Sequence, residues 1–195
     1  MARPNRILIL DGHPNDQSFC RSIGEAYERG ARSSGAEVRK CVLAHLNFSP
    51  NLTFGYQRRT ELEPDLVNAQ TDILWANHIV VIHPVWWSDM PALLKGFIDR
   101  VFLPGFAFKY REGSILWDKL LKGKTGHIVY TQDTPGWYYR FVLGCPSLMA
   151  LKKGTLEFCG ISPVRATAIG PIRQSSAEFR ARWLQRIESL GRNRA

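Results

Sequence analysis

Two adjacent tryptophans, Trp86 and Trp87, stand between an apolar run at 78–83 and a helix expected to begin at Pro91. A turn that links a strand to a helix N-terminus is where α/β sheets build ligand sites. Indole rings at such a turn can stack on a planar ligand. Neighbouring side chains of an extended segment point to opposite sides, so at least one ring should face a ligand or a partner subunit. The alternative is that both rings belong to the core or to an interface.

A second candidate segment, from Gly12 to Phe19, also runs from a strand into a helix. The free N–H groups and the dipole of a helix N-terminus favour an anion. His13 and Ser18 could add hydrogen-bond donors to a phosphate. Equally, His13 could only satisfy the loop, and Ser18 could be only a helix cap. The chain has neither the Gly-x-Gly-x-x-Gly fingerprint of Rossmann dinucleotide sites nor the Gly-Lys-Ser/Thr pattern of a Walker loop.

A third segment, 131–139, follows a later apolar strand and supplies hydroxyls, an amide and three aromatic rings. It either caps a ring system bound at the same sheet edge or forms an ordinary helix entry. A flavin requires both stacking rings and fixed donors, because its isoalloxazine is planar and its N1–C2=O edge gains negative charge on reduction. The three segments together therefore predict a flavin site.

Apolar periodicity predicts strands that alternate with helices. The predicted strands are 6–10, 37–42, 78–83, 125–131 and 164–169. The predicted helices are 18–35, 62–73, 91–101, a region at 137–158 with breakers at Gly144 and Pro146, and a last helix that the capping box Ser175-x-x-Glu178 opens. This alternation predicts an α/β, flavodoxin-like three-layer sandwich, with a five-stranded parallel sheet in the order 2-1-3-4-5. We expect one domain, residues 1–195, with its ligand crevice between strands one and three.

The composition is that of an ordinary globular protein of 195 residues, with 45% hydrophobic and 22% charged residues. No apolar run approaches the roughly 20 residues of a membrane span, and the N-terminus is not typical of a signal peptide. The net charge is +9, but the basic residues are dispersed, so we expect solvated basic faces rather than nucleic-acid binding. The four cysteines have no metal or redox spacing, which predicts no metal site and a reduced, cytoplasmic protein.

The chain resembles the flavodoxin-like NAD(P)H:quinone oxidoreductase family, which includes bacterial modulator-of-drug-activity reductases and ancillary subunits of glutathione-gated potassium efflux systems. The resemblance covers nearly the whole chain. Its most specific motif is the segment 84–102, Pro-Val-Trp-Trp-Ser-Asp-Met-Pro-Ala-Leu-Leu-Lys-Gly-Phe-Ile-Asp-Arg-Val-Phe. The other matching segments are 7–14, 18–19, 47–50, 105–108 and 157–160.

This resemblance implies a role for each matching residue. The flavin phosphate and ribityl chain would be held by His13, Ser18 and Phe19. The isoalloxazine would be lined by Pro84, Val85, Trp86 and Trp87, with its polar edge at Thr131, Gln132 and Asp133. The substrate pocket would use Phe108, Tyr110 and Trp137, in a homodimer with the active site at the subunit interface. The candidates for catalysis are Tyr138, Tyr139 and Trp87.

The loop after the fourth predicted strand departs from the family pattern. Many members have Thr-Thr-Gly-Gly there, and well-studied quinone reductases add a tyrosine and a histidine that assist hydride transfer. This chain has Thr-Gln-Asp-Thr-Pro-Gly at 131–136, and no histidine follows His127. Tyr138 or Tyr139 could supply the tyrosine, but the histidine has no counterpart. The substrate therefore need not be a simple quinone.

The sequence predicts a flavin-dependent NAD(P)H oxidoreductase, which passes two electrons as a hydride through flavin N5 to a quinone or related electrophile. The alternative is a flavin-binding regulatory subunit of a membrane transporter, with incidental reductase activity. A flavodoxin-type electron carrier fits less well, because such proteins are strongly acidic. FMN and FAD are both open, with a slight lean toward FMN, and so is the choice between NADH and NADPH.

Overall fold

The computed structural model describes residues 5–58 and 60–193. Its strands are β1 (Arg6–Asp11), β2 (Glu37–Val42), β3 (His78–Pro84), β4 (Phe108–Tyr110), β5 (Trp117–Lys119), β6 (Thr125–Thr131) and β7 (Val164–Ile169). Five of them form a parallel sheet in the order β2-β1-β3-β6-β7, and β4 and β5 form an antiparallel hairpin. The predicted order 2-1-3-4-5 is confirmed, since β6 and β7 are the fourth and fifth strands of the sheet.

The helices are α1 (Phe19–Ser33), α2 (Pro64–Trp75), α3 (Ala92–Val101), α4 (Gly136–Phe141), α5 (Pro146–Leu151) and α6 (Ala177–Arg192). A π-helical segment, Lys152–Glu157, continues α5. Gly144 and Cys145 both have positive φ, at 72° and 53°, and this separates α4 from α5. Within residues 5–58 and 60–193, no helix is both long enough and apolar enough to cross a membrane. Residues 1–4, part of the N-terminus that is not typical of a signal peptide, lie outside the described residues.

The sheet separates two apolar clusters, one on each face. Alternate residues of a strand point to opposite faces, and β1 follows this rule. Leu8 and Leu10 pack with α2 and α3, whereas Ile7 and Ile9 pack with α1 and α6. Burial on both faces gives the continuous apolar runs that predicted the central strands.

The capping box predicted for the last helix is wrong by one residue. Helix α6 is capped by Ser176, whose Oγ accepts a hydrogen bond from the Phe179 backbone N–H at 3.2 Å. Ser175 instead donates its hydroxyl to the Ile172 carbonyl at 2.7 Å. The two serines have the same capping chemistry, so residue type did not distinguish them.

The loop that precedes α2 is held by Arg100 of α3, whose side chain is almost completely buried. Its guanidinium donates to the carbonyls of Ser49 and Glu61 at 2.6 and 2.9 Å. It also bonds both carboxylate oxygens of Glu63, at 2.6 and 3.2 Å. Bidentate arginine–carboxylate pairs fix geometry as well as charge, so the loop is anchored at Ser49, Glu61 and Glu63.

The β4–β5 hairpin lies within the segment 102–117 that the sequence indicated only as an aromatic loop. It is docked on the residues that end the π-helical segment. The ring of Trp117 stacks on Phe158, with centroids 4.4 Å apart, and its Nε1–H donates to the Phe158 carbonyl at 2.9 Å. Lys119 donates to the Glu157 carbonyl, also at 2.9 Å. The base of the hairpin is therefore fixed by packing and by hydrogen bonds.

Helices α1 and α6 pack so closely that glycine is required at their contact. A Cβ at Gly30 would overlap the backbone carbonyl of Glu188. We predict that Gly30→Ala lowers the free energy of unfolding by about 2 kcal/mol, because the helices must separate to admit the methyl group. Urea denaturation measures the change. Gly154→Ala is the control, since no atom lies within 4 Å of its added Cβ; an equal loss in both variants would contradict the prediction.

Candidate functional site

The loops that follow β1, β3 and β6 surround one crevice of about 190 Å³ at the carboxyl edge of the sheet. All the predicted cofactor-binding residues except Trp87 line it: His13, Ser18, Phe19, Pro84, Val85, Trp86, Thr131, Gln132 and Asp133. Three segments that are far apart in the sequence thus supply the walls of one cavity.

His13 has a defined tautomer in the first wall. Its Nδ1 accepts a hydrogen bond from the Asn15 backbone N–H at 2.9 Å, so the hydrogen of the neutral ring lies on Nε2. Burial lowers the pKa of His13, which favours this neutral form. The Asp11 carboxylate fixes the loop by accepting from the His13 N–H at 3.1 Å. The ring meets that of Trp86 edge-on, with centroids 5.4 Å apart.

Ser18 is the N-cap of α1, because its Oγ accepts a hydrogen bond from the Arg21 N–H at 3.3 Å. Capping uses the oxygen as an acceptor, so the hydroxyl hydrogen can still be donated. The Arg180 guanidinium lies 5.7 Å from the centroid of the Phe19 ring. A helix N-terminus, a hydroxyl and a nearby positive charge give this end of the crevice the electrostatics of an anion site.

The tryptophan turn is a tight reversal rather than an extended segment. Trp86 and Asp89 exchange two backbone hydrogen bonds, at 2.8 and 2.9 Å. The two residues between them, Trp87 and Ser88, have φ of 51° and 65°. Positive φ at both central positions is the signature of a type I′ turn, which normally contains Asn and Gly. Both indoles are consequently exposed, Trp86 by 46% and Trp87 completely.

The third wall is braced by the loop that follows β7. The Gln132 N–H donates to the Ile169 carbonyl at 3.0 Å. The Asp133 carboxylate accepts from the backbone N–H groups of Ile172 and Arg173, at 2.9 and 2.6 Å. Asp133 therefore lines the crevice and also fixes the neighbouring loop. The Gln132 Oε1 is buried, with no hydrogen-bond partner in the described part of the chain.

Neither the predicted catalytic side chains nor Trp137, which was predicted for the substrate pocket, lines this crevice. Helix α4 points Trp137 and Tyr138 outward, with 65% and 40% exposure. Tyr139 faces the sheet instead, buried against Tyr130 with ring centroids 5.9 Å apart. Trp87 projects from the tip of its turn. The catalytic roles of Tyr138, Tyr139 and Trp87 stay predictions.

Phe108 and Tyr110 line a different cavity, of about 370 Å³, between α3, the hairpin and the π-helical segment. Phe108 is buried, and Tyr110 is 65% exposed, with their rings 5.2 Å apart. The chain does not bring them to its own crevice. Their predicted role, to close the pocket of a second subunit, does not require that they reach it.

Two residues of the crevice were missed in the sequence. Cys20 follows Phe19 in the first turn of α1, and its Sγ lies 3.7 Å from the Thr131 Oγ1. Burial raises the pKa of Cys20 to about 12, so it is a thiol rather than a nucleophilic thiolate. Ile172 comes from the loop after β7. The parallel sheet brings that loop to the same edge, and this signal could have identified it.

The walls together fit a planar, phosphate-bearing cofactor. The first wall supplies donors, the His13 Nε2–H and the N-terminus of α1, and the second supplies the Trp86 indole, whose ring contacts that of His13. Gln132 of the third wall has an Oε1 acceptor that is buried and has no partner among the described residues. Among the described residues, no His, Cys, Asp and Glu side chains group in threes as metal ligands do. This arrangement can bind and orient a flavin, whereas its titratable groups form no nucleophile–base pair.

Comparison with known proteins gives consistent matches. The family model described as a flavodoxin-like fold matches residues 5–190. An uncharacterized NAD(P)H oxidoreductase of Haemophilus influenzae is 31% identical over 85% of this chain and 83% of its own. The crystal structure of Smu.1420 from Streptococcus mutans UA159 has 34% identity and a TM-score of 0.84, covering 96% of this chain and 99% of that one. The NAD(P)H:quinone oxidoreductase from Methanothermobacter marburgensis has 25% identity and a TM-score of 0.81, covering 98% and 97%.

The contacts of Asp133 generate one prediction. Asp133→Ala removes the acceptor of two backbone N–H groups, so we expect the amides of Ile172 and Arg173 to exchange with solvent at least about tenfold faster. Asp133→Asn keeps an oxygen acceptor and should preserve most of the protection. Hydrogen exchange followed by NMR measures both variants. Unchanged exchange in Asp133→Ala would show that the carboxylate does not hold this loop.

His83 generates a pH prediction. It immediately precedes Pro84 in the sequence and is fully buried, and this burial lowers its pKa from the usual 6.5 to about 4. Between these values the unfolded chain takes up a proton that the folded chain excludes, so the free energy of unfolding falls as the pH falls from 6.5 to 4. His83→Phe removes this component, which is on the order of 3 kcal/mol. Urea denaturation at several pH values should show the unmodified protein losing stability relative to His83→Phe as the pH falls from 6.5 to 4; parallel profiles would contradict the prediction.

Proposed function

Because the chain belongs to the flavodoxin-like family that its motifs and strand order indicated, we propose that it is a flavin-dependent NAD(P)H oxidoreductase. It would pass two electrons as a hydride from NAD(P)H to a quinone or related electrophile. Similar proteins named as an NAD(P)H oxidoreductase and an NAD(P)H:quinone oxidoreductase support this activity. A bound flavin would supply the hydride-transfer chemistry at its N5.

The observation that carries the proposal is the convergence of three loops on one crevice. The His13 Nε2–H and the first turn of α1 would hold the cofactor phosphate. Pro84, Val85 and Trp86 would line one side of the ring system, and the wall that begins at Thr131 would close its polar edge. The protein contributes position and electrostatics, since none of these side chains needs to change its protonation state.

Several finer points belong to the same proposal. FMN is favoured over FAD, because none of the described residues between 49 and 63 lines the crevice, and Arg100 of α3 holds Ser49, Glu61 and Glu63. The net charge of +9 suits the 2′-phosphate of NADPH. We further propose a single flavin-binding domain that acts in the cytoplasm as a homodimer. The exposed Tyr110 and the Trp86–Trp87 turn would then lie at the subunit interface.

An absorbance spectrum of the purified protein, with mass spectrometry of the released cofactor, tests the proposal. We expect flavin bands and FMN, and parallel double-reciprocal plots for NAD(P)H and a quinone, because both substrates use the same crevice in turn. A protein that binds no flavin even after reconstitution would refute the proposal. Flavin binding without turnover of any quinone would instead favour the regulatory-subunit alternative.

Ser18 offers a matched pair of variants for the phosphate end. Ser18→Ala should weaken FMN binding about tenfold but leave riboflavin binding nearly unchanged, because only FMN has a phosphate that can accept a hydrogen bond from the Ser18 hydroxyl. Ser176→Ala removes the equivalent cap of α6 and controls for lost helix stability. Fluorescence titration measures both ligands. An equal effect of Ser18→Ala on FMN and riboflavin would contradict the assignment of the phosphate to this helix.

A further inference from the structure

The tryptophan turn has a conformation that its own residues do not favour. Residues other than glycine rarely adopt positive φ, yet Trp87 and Ser88 both do. Such a conformation persists only where its surroundings determine it. The question is therefore which contacts hold the segment 84–89 in place.

Four contacts brace the segment beyond the two backbone bonds of the turn. From β6, the Thr131 carbonyl accepts from the Val85 N–H at 2.7 Å. At its tip, the Ser88 carbonyl accepts from the Ser147 N–H of α5 at 3.1 Å. At its exit, the Asp89 carboxylate accepts from the Met90 N–H at 2.7 Å. At its entry, the Pro84 carbonyl lies 2.9 Å from the His83 Nδ1.

The contact at the entry fixes the tautomer of His83. A carbonyl oxygen only accepts, so Nδ1 carries the hydrogen and donates it. The other ring nitrogen, Nε2, is buried and has no hydrogen-bond partner among the described residues. The ring is fully buried and stacks on that of Tyr130, with centroids 6.2 Å apart and planes 22° apart. Burial keeps it uncharged at neutral pH, since its pKa is lowered to about 4.

A buried nitrogen without a partner is unfavourable, so packing alone does not explain a histidine at this position. A phenylalanine would stack on Tyr130 equally well and would bury no polar atom. Of the two side chains, only histidine has an N–H that can donate a hydrogen bond to the Pro84 carbonyl. On the β1 side, the chain leaves the strand after Gly12, whose N–H bonds the Ile82 carbonyl at 2.8 Å, and Pro14 has no N–H to offer. On the β6 side, Thr131 uses its carbonyl to accept from Val85.

We propose that His83 is a positioning residue, whose Nδ1–H bond to the Pro84 carbonyl sets the course of the segment 84–88 before a cofactor binds. This inference rests on the proposed flavin site, which the same segment lines. It deepens that proposal by assigning the pre-organisation of one wall to a residue outside the crevice. Pre-organised walls bind more tightly, because less ordering remains for the binding step.

Two variants separate the N–H from the ring. His83→Phe keeps an aromatic ring against Tyr130 and removes the donor. His83→Asn removes the ring and keeps an amide N–H at the position of Nδ1. If His83 positions the segment, Asn should preserve what Phe loses. If His83 only packs, Phe should be the better replacement.

The first measurement needs no cofactor. Hydrogen exchange of the Val85 and Trp86 amides in the apoprotein should accelerate about tenfold in His83→Phe and less than threefold in His83→Asn. The second is FMN titration of the same apoproteins, followed by fluorescence and visible absorbance. His83→Phe should weaken binding about tenfold and alter the band positions of bound flavin, whereas His83→Asn should stay within about threefold of the unmodified chain.

The outcomes distinguish this inference from the proposed function. If the unmodified chain binds no flavin, the proposed function fails, and exchange of the two amides still decides whether His83 holds the segment. If it binds flavin and His83→Phe matches it in exchange, affinity and spectrum, the inference is overturned. If His83→Asn loses as much as His83→Phe, the ring rather than the N–H is responsible, and the inference is again overturned.

Discussion

The crevice depends on one constraint of the sheet: the chain winds away from β1 in both directions. β2 lies on one side of β1 and β3 on the other, so α1, which follows β1, and α3, which follows β3, cover opposite faces. Helix α1 belongs to the cluster with α6, whereas α3 belongs to the cluster with α2. The loops after β1 and β3 must therefore diverge, and their separation opens the cavity. Without that divergence the three walls would form an ordinary packed sheet edge.

Much of this architecture could be predicted, because buried parallel strands leave continuous apolar runs and their loops must meet at one edge. The β4–β5 hairpin could not, since two three-residue strands among aromatic residues show no period. The crevice walls were predicted because loops at the carboxyl ends of parallel strands lie at one edge of the sheet. The exposure of both indoles was not predicted. The sequence argument assumed an extended backbone at Trp86 and Trp87, whereas the positive φ of Trp87 and Ser88 shows a tight turn.

Loop positions around the sheet are set by a recurring contact that the sequence does not reveal. Carboxylates accept backbone N–H groups at the points where the chain leaves regular structure. The pairs are Asp11 with His13, Asp65 with Asn47, Glu63 with Ser49, Asp89 with Met90, and Asp133 with Ile172 and Arg173. Each residue type is common in loops, so only the three-dimensional partner shows which acidic side chains are structural. Arg100 and His83 provide the complement, as donors to loop carbonyls.

Trp87 has a thermodynamic consequence for assembly. Its ring is completely exposed, and covering an indole removes apolar surface worth on the order of 5 kcal/mol. The turn already holds the backbone of Trp87 in one conformation, so a surface that covers the ring orders little more of the chain. The free energy of folding of the single chain offsets the conformational strain of the turn. In this way a part of the free energy of folding is converted into affinity for whatever surface comes to lie over Trp87.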